Sequence, residues 1–260
     1  MRIALAQFAA STDPAANLAR VADFAEQAAA QGAELVVFPE ATMCSFARPR
    51  ADAAEPFAGP WATSVRALAA RLGITIVVGM FTTTGTPRVR NTLLVTGTVE
   101  ARYDKLHLFD ALGYAESRQI EAGDRAVTIE LSGHTIGLAT CYDVRFPTLF
   151  THLAGLGAEL ILLPSSWAPG DGKLHQWRTL VTARAMDSTS FVVAVDQSLP
   201  AASADGRTPT GIGHSLAVDP AGAVLLELGE ADELAVVDLD LTSVAATRER
   251  LPVLQHARSL

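Results

Sequence analysis

Three residues of this 260-residue chain stand where apolar runs break into turns, and their types suit acid–base and nucleophilic chemistry. Glu40 follows Val36-Val37-Phe38-Pro39. A carboxylate placed straight after a buried strand meets low-dielectric surroundings, and desolvation raises its pKa and makes it a competent base. A solvated loop glutamate fits the same position. Cys141 follows Ile136-Gly137-Leu138-Ala139-Thr140 and precedes a helix start marked by Pro147. A strand–turn–helix corner exposes a side chain and aims backbone N–H groups at one spot, the logic of a nucleophile elbow with a thiol in place of a hydroxyl. A nearby helix N-terminus and a cation would favour the thiolate. The competing reading is a core cysteine, since free cysteines are among the most buried residues. Cys44 fits that second reading better. Lys105 lies among apolar neighbours in Arg102-Tyr103-Asp104-Lys105-Leu106-His107-Leu108-Phe109, although most lysines occupy solvated faces.

Other constellations are missing from the sequence. It has no Gly-x-Ser-x-Gly, no His-Glu-x-x-His and no P-loop. Gly211-Ile212-Gly213 lacks the third glycine of a dinucleotide site and reads as a loop. The six histidines show no metal-ligand spacing. His107, His175 and His214 are candidates for a Cys–His pair, but nothing places them beside Cys141 more firmly than Glu40.

These residues need elements to hold them. Short apolar runs at 2–8, 34–38, 74–80 and 91–97 read as strands, with helical patterns at 14–31 and 61–72. Asp13 and Pro14 mark the start of the first helix, Gly32 its end, and Gly73 closes the second. The order then returns: a strand at 134–140, a helix at 147–155, and a helix at 177–188 with a strand at 191–196. Gly157-Ala158-Glu159-Leu160-Ile161-Leu162-Leu163-Pro164 echoes Gly32-Ala33-Glu34-Leu35-Val36-Val37-Phe38-Pro39. Strands at 214–218, 224–228 and 234–239 follow, the first two joined by the turn Asp219-Pro220-Ala221-Gly222. This is an internal pseudo-repeat, each half a sheet covered by two helices. Two such halves bury their bare sheet faces against each other, which predicts an α/β four-layer α-β-β-α sandwich with a pseudo-two-fold axis. Two independent doubly wound domains are the rival arrangement, but no Pro/Ser-rich linker separates the halves. The expectation is one domain over 1–260. In open α/β sheets, active residues gather at the carboxyl ends of strands, where Glu40 and Cys141 fall.

Composition narrows the partners. Hydrophobic residues make up 49% and charged residues 18%, a balance for a packed core and against disorder. A formal net charge of −8 without Lys/Arg runs argues against nucleic acid and against an anionic membrane surface. Two cysteines are too few for a disulfide framework. The short N-terminal apolar run reads as a strand, not a signal peptide, and no stretch approaches the ~18–20 apolar residues that span a bilayer. A cytoplasmic protein is expected.

Phe38-Pro39-Glu40, Tyr103-Asp104-Lys105-Leu106-His107-Leu108-Phe109 and Cys141-Tyr142-Asp143-Val144-Arg145-Phe146-Pro147 resemble, in order and spacing, the three motifs of the nitrilase superfamily of carbon–nitrogen hydrolases. The resemblance runs from Arg2 to about Leu241. It implies the same four-layer sandwich and a catalytic triad of Glu40, Lys105 and Cys141. It also implies a second glutamate, Glu116, orienting Lys105. The lysine and cysteine motifs look most like the amidases that act on ω-amides of 2-oxo acids or on deaminated glutathione. Asp187-Ser188 stands where that family usually has Glu-Asn, and Asp196-Gln197 where Asn-Gln is commoner, which puts the local pocket in question more than the chemistry.

The implied reaction is hydrolysis of a small linear amide through a thioester on Cys141, with no metal or organic cofactor. The Lys105 ammonium and the Tyr142 backbone N–H would hold the oxyanion. Trp167, at the end of the strand that mirrors Glu40's, would line the pocket with Tyr142 and Arg145. Arg145 suits a substrate carboxylate or, equally, a structural ion pair. A nitrilase, a carbamoyl-amine hydrolase or an acyltransferase would use the same triad. A catalytically silent interaction protein and a binding protein for small acids are the readings from other classes. The family often forms dimers, so a homodimer is expected by resemblance.

Overall fold

A computed structural model describes residues 1–200 and 209–258. The first half runs β1 (Arg2–Gln7), α1 (Pro14–Ala30), β2 (Leu35–Val37), α2 (Pro60–Leu72), β3 (Thr75–Thr83), β4 (Val89–Thr96) and β5 (Ala101–Asp104). The second runs β6 (Val127–Leu131), β7 (His134–Leu138), α3 (Pro147–Gly155), β8 (Leu160–Ser165), α4 (Lys173–Ser188), β9 (Phe191–Asp196), β10 (Leu216–Val218) and β11 (Val224–Glu227). Strand β12 (Glu233–Asp238) and helices α5 (Ser243–Arg250) and α6 (Val253–His256) close the chain.

Among the described residues these strands form two six-stranded sheets, ordered β12-β1-β2-β3-β4-β5 and β11-β10-β9-β8-β7-β6. The repeat is complete at the level of pairing. β1, β2 and β3 are parallel, as are β7, β8 and β9. In each half two antiparallel strands extend that unit on one side. One antiparallel strand flanks the other side, β12 beside β1 and β6 beside β7. The chain therefore returns from the second half to finish the first sheet.

The layers follow from alternation along the strands. Ile3, Leu5, Leu35 and Val37 of the first sheet pack with Ile136, Leu138, Leu160 and Leu162 of the second, forming the core between the sheets. The alternate residues Ala4, Ala6, Val36 and Ile76 meet Val21, Phe24 and Ala25 of α1 and Val65 and Leu68 of α2. Ile161, Leu163 and Val192 meet Phe150 and Leu153 of α3 and Trp177 and Val181 of α4. Helix α1 starts as its sequence requires: the Asp13 carboxylate accepts from the Ala15 N–H at 2.9 Å, and Pro14 occupies the first turn. Helix α2 ends on Gly73 in the left-handed region, φ 68°. The turn at Asp219–Gly222 joins β10 to β11 as expected.

Some boundaries differ from the sequence reading. Helix α4 begins at Lys173, not near residue 177, because Gly172 turns the chain into the helix at φ 68°. Strands β5 and β6 and helices α5 and α6 were not expected. β5 and β6 are short and only partly buried, so their apolar pattern is weak.

Candidate active site

Glu40 lies just past β2, where Ala41 at φ 55° turns the chain sharply. The turn rests on β3 at Gly79: a Cβ there would come within 2.5 Å of the Ala41 nitrogen and 2.8 Å of the Pro39 oxygen. Only glycine admits that approach. The Glu40 side chain is 1% exposed. Its Oε1 accepts from Lys105 Nζ at 2.8 Å and from Asn91 Nδ2 at 2.7 Å, and its Oε2 accepts from the Ser166 N–H at 2.9 Å. Gln197 Nε2 donates to the Glu40 carbonyl at 2.8 Å. Burial raises the carboxyl above the usual range; Lys105 opposes that shift and Glu116 adds to it.

Lys105 follows β5, and its N–H extends the ladder by donating to the Asn91 carbonyl at 2.9 Å. Its Nζ meets Glu116 at 2.9 and 3.2 Å as well as Glu40. Burial alone would lower the lysine pKa, but the Glu116 and Glu40 carboxylates outweigh it and hold the ammonium well above its ordinary value. Glu116 is itself fixed by the Phe109 N–H at 2.7 Å and by Asn91 at 3.2 Å. An ammonium carries three donors and meets two carboxylates here.

Cys141 opens the one-turn 3-10 helix Cys141–Arg145. Its φ of 47° lies in the left-handed region, a strained conformation for a residue with a Cβ. The Asp143 carboxylate holds the turn. It accepts from the Thr140 N–H at 2.8 Å, the Tyr103 hydroxyl at 2.6 Å and the His107 N–H at 3.0 Å, and pairs with His107 Nδ1 at 2.7 Å. Arg184 adds a bond to the Val144 carbonyl at 3.1 Å and pairs with Asp187 at 2.8 Å. The unusual Asp187 therefore braces the same turn from α4. The Cys141 thiol sits 3.7 Å from the Ser166 carbonyl. Burial first, and then the Glu40 charge, push its pKa well above the ordinary value, with Lys105 pulling the other way. The thiol is thus neutral, with the Glu40 carboxylate facing it as the base.

Glu40, Lys105, Glu116 and Cys141 line one cavity. Tyr142, Arg145 and Trp167 line it too. Trp167 is fixed by its backbone N–H on Asp196 Oδ1 at 2.7 Å, while the Ile212 N–H binds Asp196 Oδ2 at 2.8 Å. Burial pushes the Asp196 carboxyl well up, against the pull of these backbone donors. The Arg145 guanidinium lies 5.1 Å from the Trp167 ring centre and donates to Gln176 at 2.7 Å. It has no carboxylate partner among the described residues.

The histidines stand apart. His107 is engaged by Asp143 and stacked on Phe146 at 3.7 Å, His214 pairs with Glu227 at 3.1 Å, and His175 is exposed. Cys44 is a fully buried core residue. Among the described residues no group of three or more His, Cys, Asp or Glu is arranged to hold a metal ion, and no helix is long and apolar enough to cross a membrane. Sequence reasoning missed Asn91, Ser166, Asp143 and Lys173. Ser166 had a signal, since it follows the strand that mirrors Glu40's; Asn91 had none.

Two mirrored α/β halves closed over a buried carboxylate, ammonium and thiol place this chain among the hydrolases of carbon–nitrogen bonds. The carbon-nitrogen hydrolase family matches residues 2–249, and the chain belongs to that family. It is 48% identical over 266 residues to a hydrolase of Mycobacterium tuberculosis, covering 98% of this chain and 95% of that protein. To the deaminated glutathione amidase of Escherichia coli O157:H7 it is 34% identical over 267 residues, covering 99% and 97%. A CN-hydrolase superfamily protein from Xanthomonas campestris, solved with an arsenic adduct in its active site, superposes with a TM-score of 0.87 at 28% identity. That match spans 100% of this chain and 98% of that one.

Proposed function

We propose that this chain is an amidase that cleaves small linear amides through a thioester on Cys141, its substrate an ω-amide of a 2-oxo acid or deaminated glutathione. One observation carries the reading: the Lys105 ammonium is anchored between Glu40 and Glu116 in the cavity that holds the Cys141 thiol. Similarity to the deaminated glutathione amidase of Escherichia coli supports the substrate class.

Because the resting thiol is neutral, the nucleophile is made during attack. Glu40 takes the Sγ proton as the sulfur bonds to the amide carbon. Charge moves to the carbonyl oxygen, which the Lys105 ammonium and the Tyr142 N–H receive. As second residue of its turn, Tyr142 presents an N–H ahead of the first intrahelical bond. Protonated Glu40 then gives its proton to the nitrogen, the carbon–nitrogen bond breaks, and the amine or ammonia leaves. Water, deprotonated by Glu40, adds to the thioester. The carbon–sulfur bond breaks, the acid departs, and the proton returns to sulfur.

The test is product release from 2-oxoglutaramate, deaminated glutathione, glutamine and simple aliphatic amides, beside Cys141→Ala. Ammonia is read for the primary amides and 2-oxoglutarate for deaminated glutathione. Cys141-dependent release from the 2-oxo acid derivatives is expected. Folded protein that releases nothing from any of them overturns the reading in favour of nitriles, carbamoyl amines, acyl transfer or a silent partner.

A further inference from the structure

The cavity carries a second cation that the reaction does not use. Lys173 is the first residue of α4 and lines the same cavity as Cys141. Its Nζ lies 5.6 Å from the Trp167 ring centre and 5.9 Å from that of Phe109. The Arg145 guanidinium is 5.1 Å from the same Trp167 ring. Two positive side chains thus share one tryptophan. Neither makes an ion pair among the described residues, and the one side-chain acceptor of Arg145 is the neutral amide of Gln176.

Like charges held together in a partly apolar cavity repel, and the aromatic faces offset that only in part. Partial burial lowers the Lys173 pKa, and the Arg145 charge lowers it further. The chain has a net charge of −8, so a positive spot in its cavity stands against the background of the whole molecule. The start of a 16-residue helix adds a partial positive charge at the same place. Glu40 and Glu116 line the same cavity but are paired with Lys105, so the Lys173–Arg145 pair is complementary to an anion.

We propose that Lys173 is a specificity residue: with Arg145 it forms a two-cation clamp for a carboxylate on the acyl part of the substrate, remote from the bond that breaks. This rests on the amidase reading above. The two substrates of that reading support it chemically. 2-Oxoglutaramate and deaminated glutathione have different leaving groups but share the same acyl group, and that group ends in a carboxylate. A clamp that reads the acyl end accepts both.

Glutaramate and valeramide test the clamp, because they share a five-carbon acyl chain and differ in a terminal carboxylate against a methyl. The wild type is expected to favour glutaramate in kcat/KM. Lys173→Met is expected to lower the glutaramate-to-valeramide ratio by about ten- to hundredfold, the range for one hydrogen bond to a charged group. The loss falls mainly on KM, and Lys173→Arg restores most of it. An unchanged ratio in Lys173→Met overturns the clamp while leaving the amidase reading intact. If neither amide is hydrolysed, calorimetric binding of glutaramate to Cys141→Ala still decides the matter. Binding that is lost in Cys141→Ala with Lys173→Met supports the clamp without the amidase reading; no binding, or binding insensitive to residue 173, overturns it.

Discussion

The Ser166 backbone N–H donates to Glu40 Oε2 at 2.9 Å, joining the end of β8 to the end of β2 across 126 residues. The two strand ends that echo each other in sequence therefore meet face to face. One supplies the carboxylate; the other supplies a donor that fixes it and, through the Ser166 carbonyl, an acceptor for the Cys141 thiol. Glu40→Gln keeps the size but removes the base. It also turns an amide N–H₂ toward either Lys105 or Ser166, both of which are donors. A drop of about 10²–10⁴ in kcat/KM is expected, the usual worth of a positioned base. Activity within about threefold of wild type would remove Glu40 from the mechanism.

The pH dependence follows from the direction of the Glu40 shift. Burial raises this carboxyl above the usual carboxylate range, and only the ionised form accepts the thiol proton. The acid limb of kcat/KM should therefore fall above the ordinary carboxylate range. Asn91 donates to the charged carboxylate at 2.7 Å, so Asn91→Ala should move that limb further up. The sign for stability is the reverse of the usual glutamate. A folded pKa above the unfolded one gives a contribution that is complete below the unfolded value and lost as pH rises through the folded one. Glu40→Gln mimics the protonated form, so its melting temperature should gain on wild type as pH rises through that window. A constant difference from pH 4 to pH 8 would show that Glu40 keeps an unshifted pKa.

Asp143 illustrates a buried group whose removal strands its partners. Its carboxylate serves Thr140, Tyr103, and the backbone N–H and Nδ1 of His107 while fully buried. Asp143→Ala leaves those donors without an acceptor and frees the turn that holds Cys141 at a positive φ. A loss of about 2–4 kcal/mol in unfolding free energy is expected, in the range for a buried charged acceptor. His107→Ala removes one partner only and should cost less. Equal stability of Asp143→Ala and wild type in urea would contradict this account.

Glu40 and Cys141 were legible because local sequence marks strand ends, and Glu116 and Lys105 because the spacing of a family motif carries them. The four layers were legible because the echo between residues 32–39 and 157–164 implies two equal halves. What escaped depends on distant partners. β12 pairs with β1 and not with its sequence neighbour β11, and no local pattern states that choice. Lys173 follows Gly170-Asp171-Gly172, which reads as loop until Gly172 in the left-handed region is seen to start α4. The protonation of Cys141 also depends on partners that local sequence does not show. A helix start and a cation are visible in sequence, whereas the Glu40 charge and the depth of burial that outweigh them arise only on folding.

The two cysteines give a last comparison, because both are neutral thiols raised by burial yet differ in access to a base. Cys44 is fully buried against Phe46 and Phe81, with backbone carbonyls of Thr12 and Ser45 as its neighbours. Cys141 borders the cavity, and Glu40 faces its thiol. Alkylation needs the thiolate, and only Cys141 has a carboxylate placed to take the proton as the electrophile arrives. Iodoacetamide should label Cys141 at least about tenfold faster than Cys44, as read by peptide mass spectrometry. Glu40→Gln should slow the Cys141 rate and leave the Cys44 rate unaltered. Equal slowing at both sites would mean that the substitution loosens or tightens the whole fold. Faster labelling of Cys44 would mean that the thiol is governed by burial alone, and the proton transfer to Glu40 would have no support.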